Sequence, residues 1–378
     1  MLSPVELRHW MQEHPELAFQ ERGITDLLCR ELSLLNGLSL LRPLETGLVA
    51  VYEHCPRKPF ILFRADLDAL PVRDEVSGEL VAKHVCGHDV HTAILYGLIL
   101  QTLEEAYPGN FLFVFQPAEE AGGGAKKLLD SGVLDSFPVD SAYALHVSDK
   151  FPLGVVASAM PTLFSSSQEL DLHWKGCQSH ITQPEKGRDV WKACVALEQW
   201  KSCQLEGKEE GFFLGIGQVE AGTVRNCVPE KAVMRMTARG KTTEILRRGL
   251  EKVQQAVREI KLECGVEATL TYGTFYPAVE QNQDLFDRWM KVFGKQGKAV
   301  VCDPVWAAED FGYFAQRYPA WMFWLGTRLP EEPELGLHHR SFCPSDPVIP
   351  LGITTLSKMR QRDVRQRDGG IDSLSSSC

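Results

Sequence analysis

The stretch FLFVFQPAEE, residues 111–120, decides the fold and points at the chemistry together. Residues 111–115 form an unbroken apolar run, too short for a helix and closed off by Pro117, which has no backbone N–H to donate. Such a run reads as a strand buried on both faces, the kind that parallel sheets contain. Two adjacent acids, Glu119 and Glu120, follow at once. Neighbouring residues leaving a strand point different ways, so the two carboxylates can do different work. Working outward, residues 48–52, 60–64 and 143–147 read as further core strands. Helical spacing is expected over 5–35, from about His91 through Leu103, and from about Ala125 to Asp130. Strands alternating with helices predict an α/β unit built on a mixed, largely parallel sheet with helices on both faces.

The texture changes near residue 165. A half-exposed strand (168–174), a helix (189–204), two strands (212–219 and 232–238), a long amphipathic helix (242–260) and a last strand (267–272) follow one another. That order is the ferredoxin-like α+β pattern. After Pro277 the α/β texture resumes, with a core strand at 321–326. The expected organisation is a catalytic domain in two parts, 1–165 and 275–378, with an inserted lid or dimerisation domain at 166–274. The polar tail 369–378 is expected to fray. A chain of 378 residues is long for one core, which agrees with two domains.

Composition narrows the partners. A net charge of -10 argues against a nucleic acid or an anionic membrane surface, both of which call for a basic face. The first residues lack a basic start followed by an apolar run, and no stretch approaches the roughly 18 apolar residues of a membrane span. Eleven cysteines, scattered without paired spacing, read as reduced thiols in a cytoplasmic protein.

Three predicted strand ends hold metal-ligand chemistry: Cys86-Gly87-His88-Asp89-Val90-His91, Gln116-Pro117-Ala118-Glu119-Glu120, and Ala144-Leu145-His146. In an open parallel sheet the carboxyl ends of strands face one crevice, so these groups should converge. A thiolate, imidazoles and a carboxylate together suit zinc or a similar borderline metal. One glutamate can then bind metal while the other takes a proton from water that the metal has acidified. Taken singly, a Glu-Glu pair is usually a solvated surface, and Asp66 and Asp68 in RADLDALP (64–71) read as turn or capping residues. It is the gathering at strand ends that favours a site.

These residues also carry a resemblance that runs over nearly the whole chain. HPELAFQE (14–21), RADLDALP (64–71), HVCGHDVHTA (84–93), QPAEEAGGGA (116–125), ALH (144–146), GTVRNCVPE (222–230), AEDFGYF (308–314), FWLGT (323–327) and LHHRSF (337–342) occur in order. The chain resembles the M20 metallopeptidase family, in the amidohydrolase branch that includes hippurate hydrolases, auxin-conjugate hydrolases and N-acetyldiaminopimelate deacetylases. The resemblance implies two divalent metal ions, their identity open among zinc, manganese, nickel and cobalt. It assigns the ligands to Cys86, His88, Glu120, His146 and His338, with Cys86 replacing a bridging carboxylate. It makes Glu119 the general base, Asp68 the residue that orients His88, and His180 a holder of the substrate carbonyl or oxyanion. Arg225 and Asn226 match residues that grip the substrate carboxylate. His338 is preferred to His339 because it stands four residues before Phe342. The implied activity is cleavage of the amide bond of a small N-acyl amino acid. The segment 308–327 followed by LHH lies nearest to the N-acetyldiaminopimelate deacetylases of lysine biosynthesis. A broader aminoacylase or hippurate hydrolase, a di- or carboxypeptidase, and an inactive binding module on the same fold are the alternatives. A homodimer through the lid domain is compatible with its exposed strand edges.

Overall fold

The computed structural model describes residues 1–74, 77–121, 123–205 and 210–369, with 361–369 described by backbone alone. The tail expected to fray lies outside the described residues from 370 onward. The chain packs as two units. Met1–Leu163, Glu280–Asp303 and the stretch from Tyr313 form the first; Phe164–Val279 and Pro304–Gly312 form the second.

The first unit is built on an eight-stranded sheet. Its order is Ser39–Leu41, Leu48–Glu53, Asn110–Gln116, Phe60–Asp66, Val139–Pro152, Ala320–Arg328, Val156–Ser158 and Ala299–Val301. The four middle strands, from Asn110–Gln116 to Ala320–Arg328, run parallel to one another. Every residue of Phe60–Asp66 and of Asn110–Gln116 is buried, which accounts for the apolar runs 60–63 and 111–115 within them. Register places the chemistry. Asp66 pairs with Gln116, Arg64 pairs with Ala144, and His146 pairs with Trp324. The segments that begin after Asp66 and Gln116 therefore leave the sheet on the level of His146.

The helix His88–Glu104 lies against this sheet and is buried on almost every side, so it lacks the one-faced apolar stripe of a surface helix. It starts three residues before the His91 start expected from spacing. The reason is Gly87, whose φ of +87° begins the helix from a conformation that favours glycine. Gly97 on the same helix admits a close neighbour: a Cβ there would stand 2.2 Å from Ile353 Cδ1. No helix among the described residues is long and apolar enough to cross a membrane.

The second unit carries an antiparallel four-stranded sheet in the order Phe212–Ala221, Lys231–Gly240, Ser166–Lys175, Glu267–Tyr276. With the helices Val190–Gln204 and Thr243–Cys264 this is the ferredoxin-like arrangement read from the sequence. Asp189 and Thr242 cap the two helices through their side-chain oxygens, satisfying amides that the first turn leaves unpaired. Leu170, Leu172 and Trp174 alternate along the central strand and meet Ala193, Leu197, Val253 and Ile260 from the helices.

Gly249 sits where the longer helix crosses the buried Phe212 ring, and a Cβ on it would lie 2.2 Å from two ring carbons. Alanine is the better helix former, yet here it overpacks the core. Gly249→Ala is expected to cost about 1–3 kcal/mol in chemical denaturation; stability equal to the parent would show that the ring can move aside.

Candidate metal centre

One strand end, one strand interior, one helix start and one loop deliver the cluster; His146 does not end its strand as its sequence context suggested, because pairing continues beyond it within Val139–Pro152. Pro117 closes the strand Asn110–Gln116, and Ala118 then adopts φ +53°, a left-handed turn that costs a residue with a Cβ roughly 1–2 kcal/mol. Gly124 lets this elbow fold back on itself. Its N–H donates to Ala118 O at 3.0 Å, and a Cβ on it would fall 1.7 Å from Pro117 O. Glu119 and Glu120 leave the elbow on the level of His146. Cys86 and His88 flank Gly87, where a Cβ would stand 2.3 Å from Val147 Cγ2, so only glycine lets this segment approach the His146 strand so closely. His338 comes from a loop and has φ +65°. Asp149 Oδ2 accepts from the Leu335 and Gly336 amides at 2.6 and 3.0 Å, and the His338 N–H donates to Val85 O at 2.9 Å.

Side chains meet accordingly. Cys86 Sγ lies 3.4 Å from His146 Nε2 and 3.4 Å from His338 Nε2. Glu120 Oε1 is 3.3 Å from His338 Nε2 and 3.9 Å from His88 Nε2. Among the residues that the sequence assigned as ligands and base, three donor sets result, each with its atoms within 4.8 Å of one another: Cys86, His88 and His146; Cys86, Glu120 and His338; His88, Glu119 and Glu120. The first two share Cys86. It is His338, rather than His339, that stands here; His339 Nδ1 accepts from the Ser341 amide at 3.2 Å.

Hydrogen bonds set the tautomers. His88 Nδ1 faces Asp68 O at 2.9 Å and Asp68 Oδ1 at 3.2 Å, so Nδ1 carries a proton and Nε2 is the nitrogen whose lone pair a cation would take. His146 Nδ1 donates to Val147 O at 2.9 Å, leaving its Nε2 lone pair toward Cys86. His88 Nε2 and Glu120 Oε1 are buried without a hydrogen-bond partner. Orphaned acceptors facing a thiol and imidazole lone pairs fit divalent cations bound through nitrogen, sulfur and oxygen.

The electrostatics agree with a site that wants positive charge. Burial, then the charges of Glu120 and Glu119, push the Cys86 thiol well up. Burial works against a charged His88, but Asp66, Asp68 and Glu120 lift it to about 10. Burial holds His146 neutral, well below its usual value. Burial opposes ionisation of Glu120, yet His338 and His88 bring it below the usual carboxylate range.

A second set of residues holds the first. Asp66 takes His91 Nδ1–H on one oxygen at 2.6 Å and Arg64 Nη1 on the other at 2.7 Å. His91 Nε2 accepts from the Val147 amide at 2.9 Å. With both nitrogens engaged, His91 cannot ligate although it lies near His88; it ties the helix to the His146 strand. Asp68 spans His88 Nδ1 and, through Oδ2, the Glu120 amide at 2.9 Å. Arg64, Asp66, His91 and Asp149 were not singled out as site residues by their sequence context. The first three stand in the quoted RADLDALP and HVCGHDVHTA stretches, but nothing in their spacing separates a support from a turn residue.

His180, Arg225 and Asn226 belong to the second unit and are exposed. There they are brought side by side: His180 pairs with Cys227, and the Ile181 amide donates to Asn226 O at 2.9 Å. His180 Nδ1 accepts from the Thr182 amide at 3.3 Å and lies 2.8 Å from the Thr182 hydroxyl. The neutral ring therefore presents Nε2–H as a donor.

Two units of this kind, with one nitrogen–sulfur and one nitrogen–sulfur–oxygen donor set sharing a thiol, are those of a metal-dependent hydrolase. Residues 62–361 match peptidase family M20/M25/M40, and the chain belongs to that family and hydrolyses amides. It is similar to an N-acetyldiaminopimelate deacetylase of Geobacillus sp. (strain WCH70), 32% identical over 368 residues that span 94% of this chain and 96% of the relative. A deacetylase of the same name from Priestia megaterium is 31% identical over 366 residues, with the same shares covered. Among solved structures, a dinuclear metal-binding peptidase of the M20 family from Bacillus subtilis superposes with a TM-score of 0.79 at 25% identity, covering 94% of this chain and 96% of that one. A protein from methicillin-resistant Staphylococcus aureus shares the fold with a TM-score of 0.86 at 21% identity, covering 94% and 95%.

Arg64 and Asp66 are both fully buried, and their ion pair spans 2.7 Å. Removing one partner leaves a carboxylate deprived of its cation in the core. Arg64→Met is expected to cost about 3–5 kcal/mol in urea unfolding of the metal-stripped protein; a loss below about 1 kcal/mol would mean that His91 alone compensates Asp66.

Proposed function

We propose that this chain is a cytoplasmic, metal-dependent deacylase of N-acyl amino acids whose substrate is N-acetyldiaminopimelate, an intermediate of lysine biosynthesis through diaminopimelate. One observation carries the reaction class: two donor sets share Cys86, and a further carboxylate, Glu119, lies within 4.8 Å of the His88 and Glu120 donors. The choice of substrate is supported by relatives of that name at 32% and 31% identity across 94% of the chain.

The cofactor would be a pair of divalent ions held by Cys86, His88, Glu120, His146 and His338, with Cys86 common to both. Zinc, manganese, nickel and cobalt all accept this mixture of donors. When bound, the ions would polarise the amide carbonyl and bring the pKa of water towards about 7. Glu119, buried beside the cluster, accepts the proton of the attacking water on a carboxylate oxygen. It then delivers that proton to the leaving nitrogen as the C–N bond breaks, so one water and one amide become a carboxylic acid and an amine, which separate as carboxylate and ammonium. Asp68 keeps His88 in the tautomer whose Nε2 is free to bind. His180 offers Nε2–H to the oxyanion as it develops. Arg225 and Asn226 hold the substrate carboxylate.

Glu119→Gln keeps an acceptor of the same shape but no base. It is expected to retain its metal and to lose roughly 10²–10⁴-fold in kcat; a parental rate would reject the role. Cys86→Ala removes the donor common to both sets, and elemental analysis should find the protein depleted of metal; full occupancy would contradict the assignment. Protein reconstituted with each metal and offered N-acetyldiaminopimelate, hippurate and dipeptides should show its highest kcat/KM on the first. A preference for dipeptides would make it a peptidase on the same site.

A further inference from the structure

The proposed reaction makes no use of Glu21, yet this acid is completely buried. It stands at the start of the helix Arg22–Ser33, far from the cluster in sequence. Its Oε1 accepts from the Ala118 amide at 2.8 Å. Burial pushes its carboxyl up to about 7, and the charge of Asp68 adds to the shift.

Ala118 is the left-handed residue of the elbow that carries Glu119 and Glu120. Its amide lies beyond the last ladder pairing of the strand, which ends at Gln116. Three anchors fix the elbow. Gly124 N–H holds Ala118 O, Asp68 Oδ2 holds the Glu120 amide, and Glu21 Oε1 holds the Ala118 amide. The Glu21 anchor is itself braced. The Thr25 hydroxyl donates to Glu21 O at 2.5 Å and accepts from the Gly47 amide at 2.9 Å. Gly47, at φ +86°, lies against Pro117, where a Cβ would come within 2.5 Å of the proline ring. Segments around residues 21–25 and 47 thus clasp Pro117 and Ala118 from outside the cluster.

Resting on the reaction proposed above, we infer that Glu21 is a positioning residue: by holding the Ala118 amide it sets where the Glu119 carboxylate stands relative to His88 and Glu120. It touches no reacting atom. What it supplies is an acceptor oxygen at a fixed point, so its removal acts on turnover and leaves substrate binding by the second unit alone.

The test compares Glu21→Ala, which leaves the Ala118 amide without an acceptor, with Glu21→Gln, which keeps an acceptor oxygen and removes the charge. In metal-loaded full-length protein, Glu21→Ala should lose about 100-fold in kcat with KM unchanged, and Glu21→Gln should recover to within about threefold of the parent. Hydrogen exchange of the peptide containing residues 118–120 gives a readout that needs no activity: about tenfold faster in Glu21→Ala, parental in Glu21→Gln. Parental turnover or parental exchange in Glu21→Ala overturns the inference. So does a Glu21→Gln variant as impaired as the alanine. If the alanine variant does not fold, Glu21→Asp, which withdraws the acceptor by one methylene, must show the same loss of kcat and the same faster exchange; parental behaviour there overturns it equally. A parent protein that holds metal and leaves N-acyl amino acids intact counts against the proposed reaction, and the exchange data still decide the position of the elbow.

Discussion

Asp68 joins two parts of the site that come from different stretches of chain. One oxygen takes the proton of His88 Nδ1, and the other takes the amide of Glu120. The first bond decides which nitrogen of His88 faces the cluster. The second decides where the elbow after the buried strand comes to rest. A neutral side chain of similar size could make one of these bonds; a carboxylate makes both, because it accepts on each oxygen. The neighbouring Asp66 works in the same way, between Arg64 and His91. Two carboxylates thus hold the helix start, the strand end and the elbow in fixed relation.

This has an electrostatic consequence for the fold. Asp66, Asp68, Glu119 and Glu21 are all buried in the first unit, and Asp66 pairs with the guanidinium of Arg64. Burying so many acids is unfavourable unless each is paired or hydrogen-bonded. Arg64, His88 and His91 keep Asp66 ionised, well below the usual range, despite its complete burial. Glu21, which has no ion-pair partner among the described residues, is instead raised by burial to about 7. The difference between two buried acids of one unit lies in their partners, not in their depth.

Much of this was legible in the sequence. The apolar run 111–115 announces a strand buried on both faces, and the switch to alternating residues near 168 announces a sheet with one face in water. Both follow from burial, which leaves its mark residue by residue. What could not be read depends on partners far away in the chain. The helix at His88 starts early because of Gly87, whose left-handed backbone leaves no periodic trace. The strand Val139–Pro152 outlasts its apolar centre because the backbone of Ser148 still pairs with Gly326 and, past an irregularity, Pro152 pairs with Arg328. The short edge strands Ser39–Leu41 and Ala299–Val301 are half-exposed and carry no pattern. Within the site, the donors stood out because cysteine, histidine and paired glutamates are chemically distinctive. Arg64, Asp149 and Glu21 are ordinary charged residues until the fold brings an amide or a carboxylate to them.

Most of the cluster is packed like a core, whereas the His338 side chain is 56% exposed on its tethered loop. A donor enclosed by neighbours cannot swing away without opening a void; a donor standing in water can, and loses little by doing so. The cluster therefore has four donors set largely into the packing and one, His338, standing in water, so a side-chain change at 338 alters the donor set without opening a void in the core.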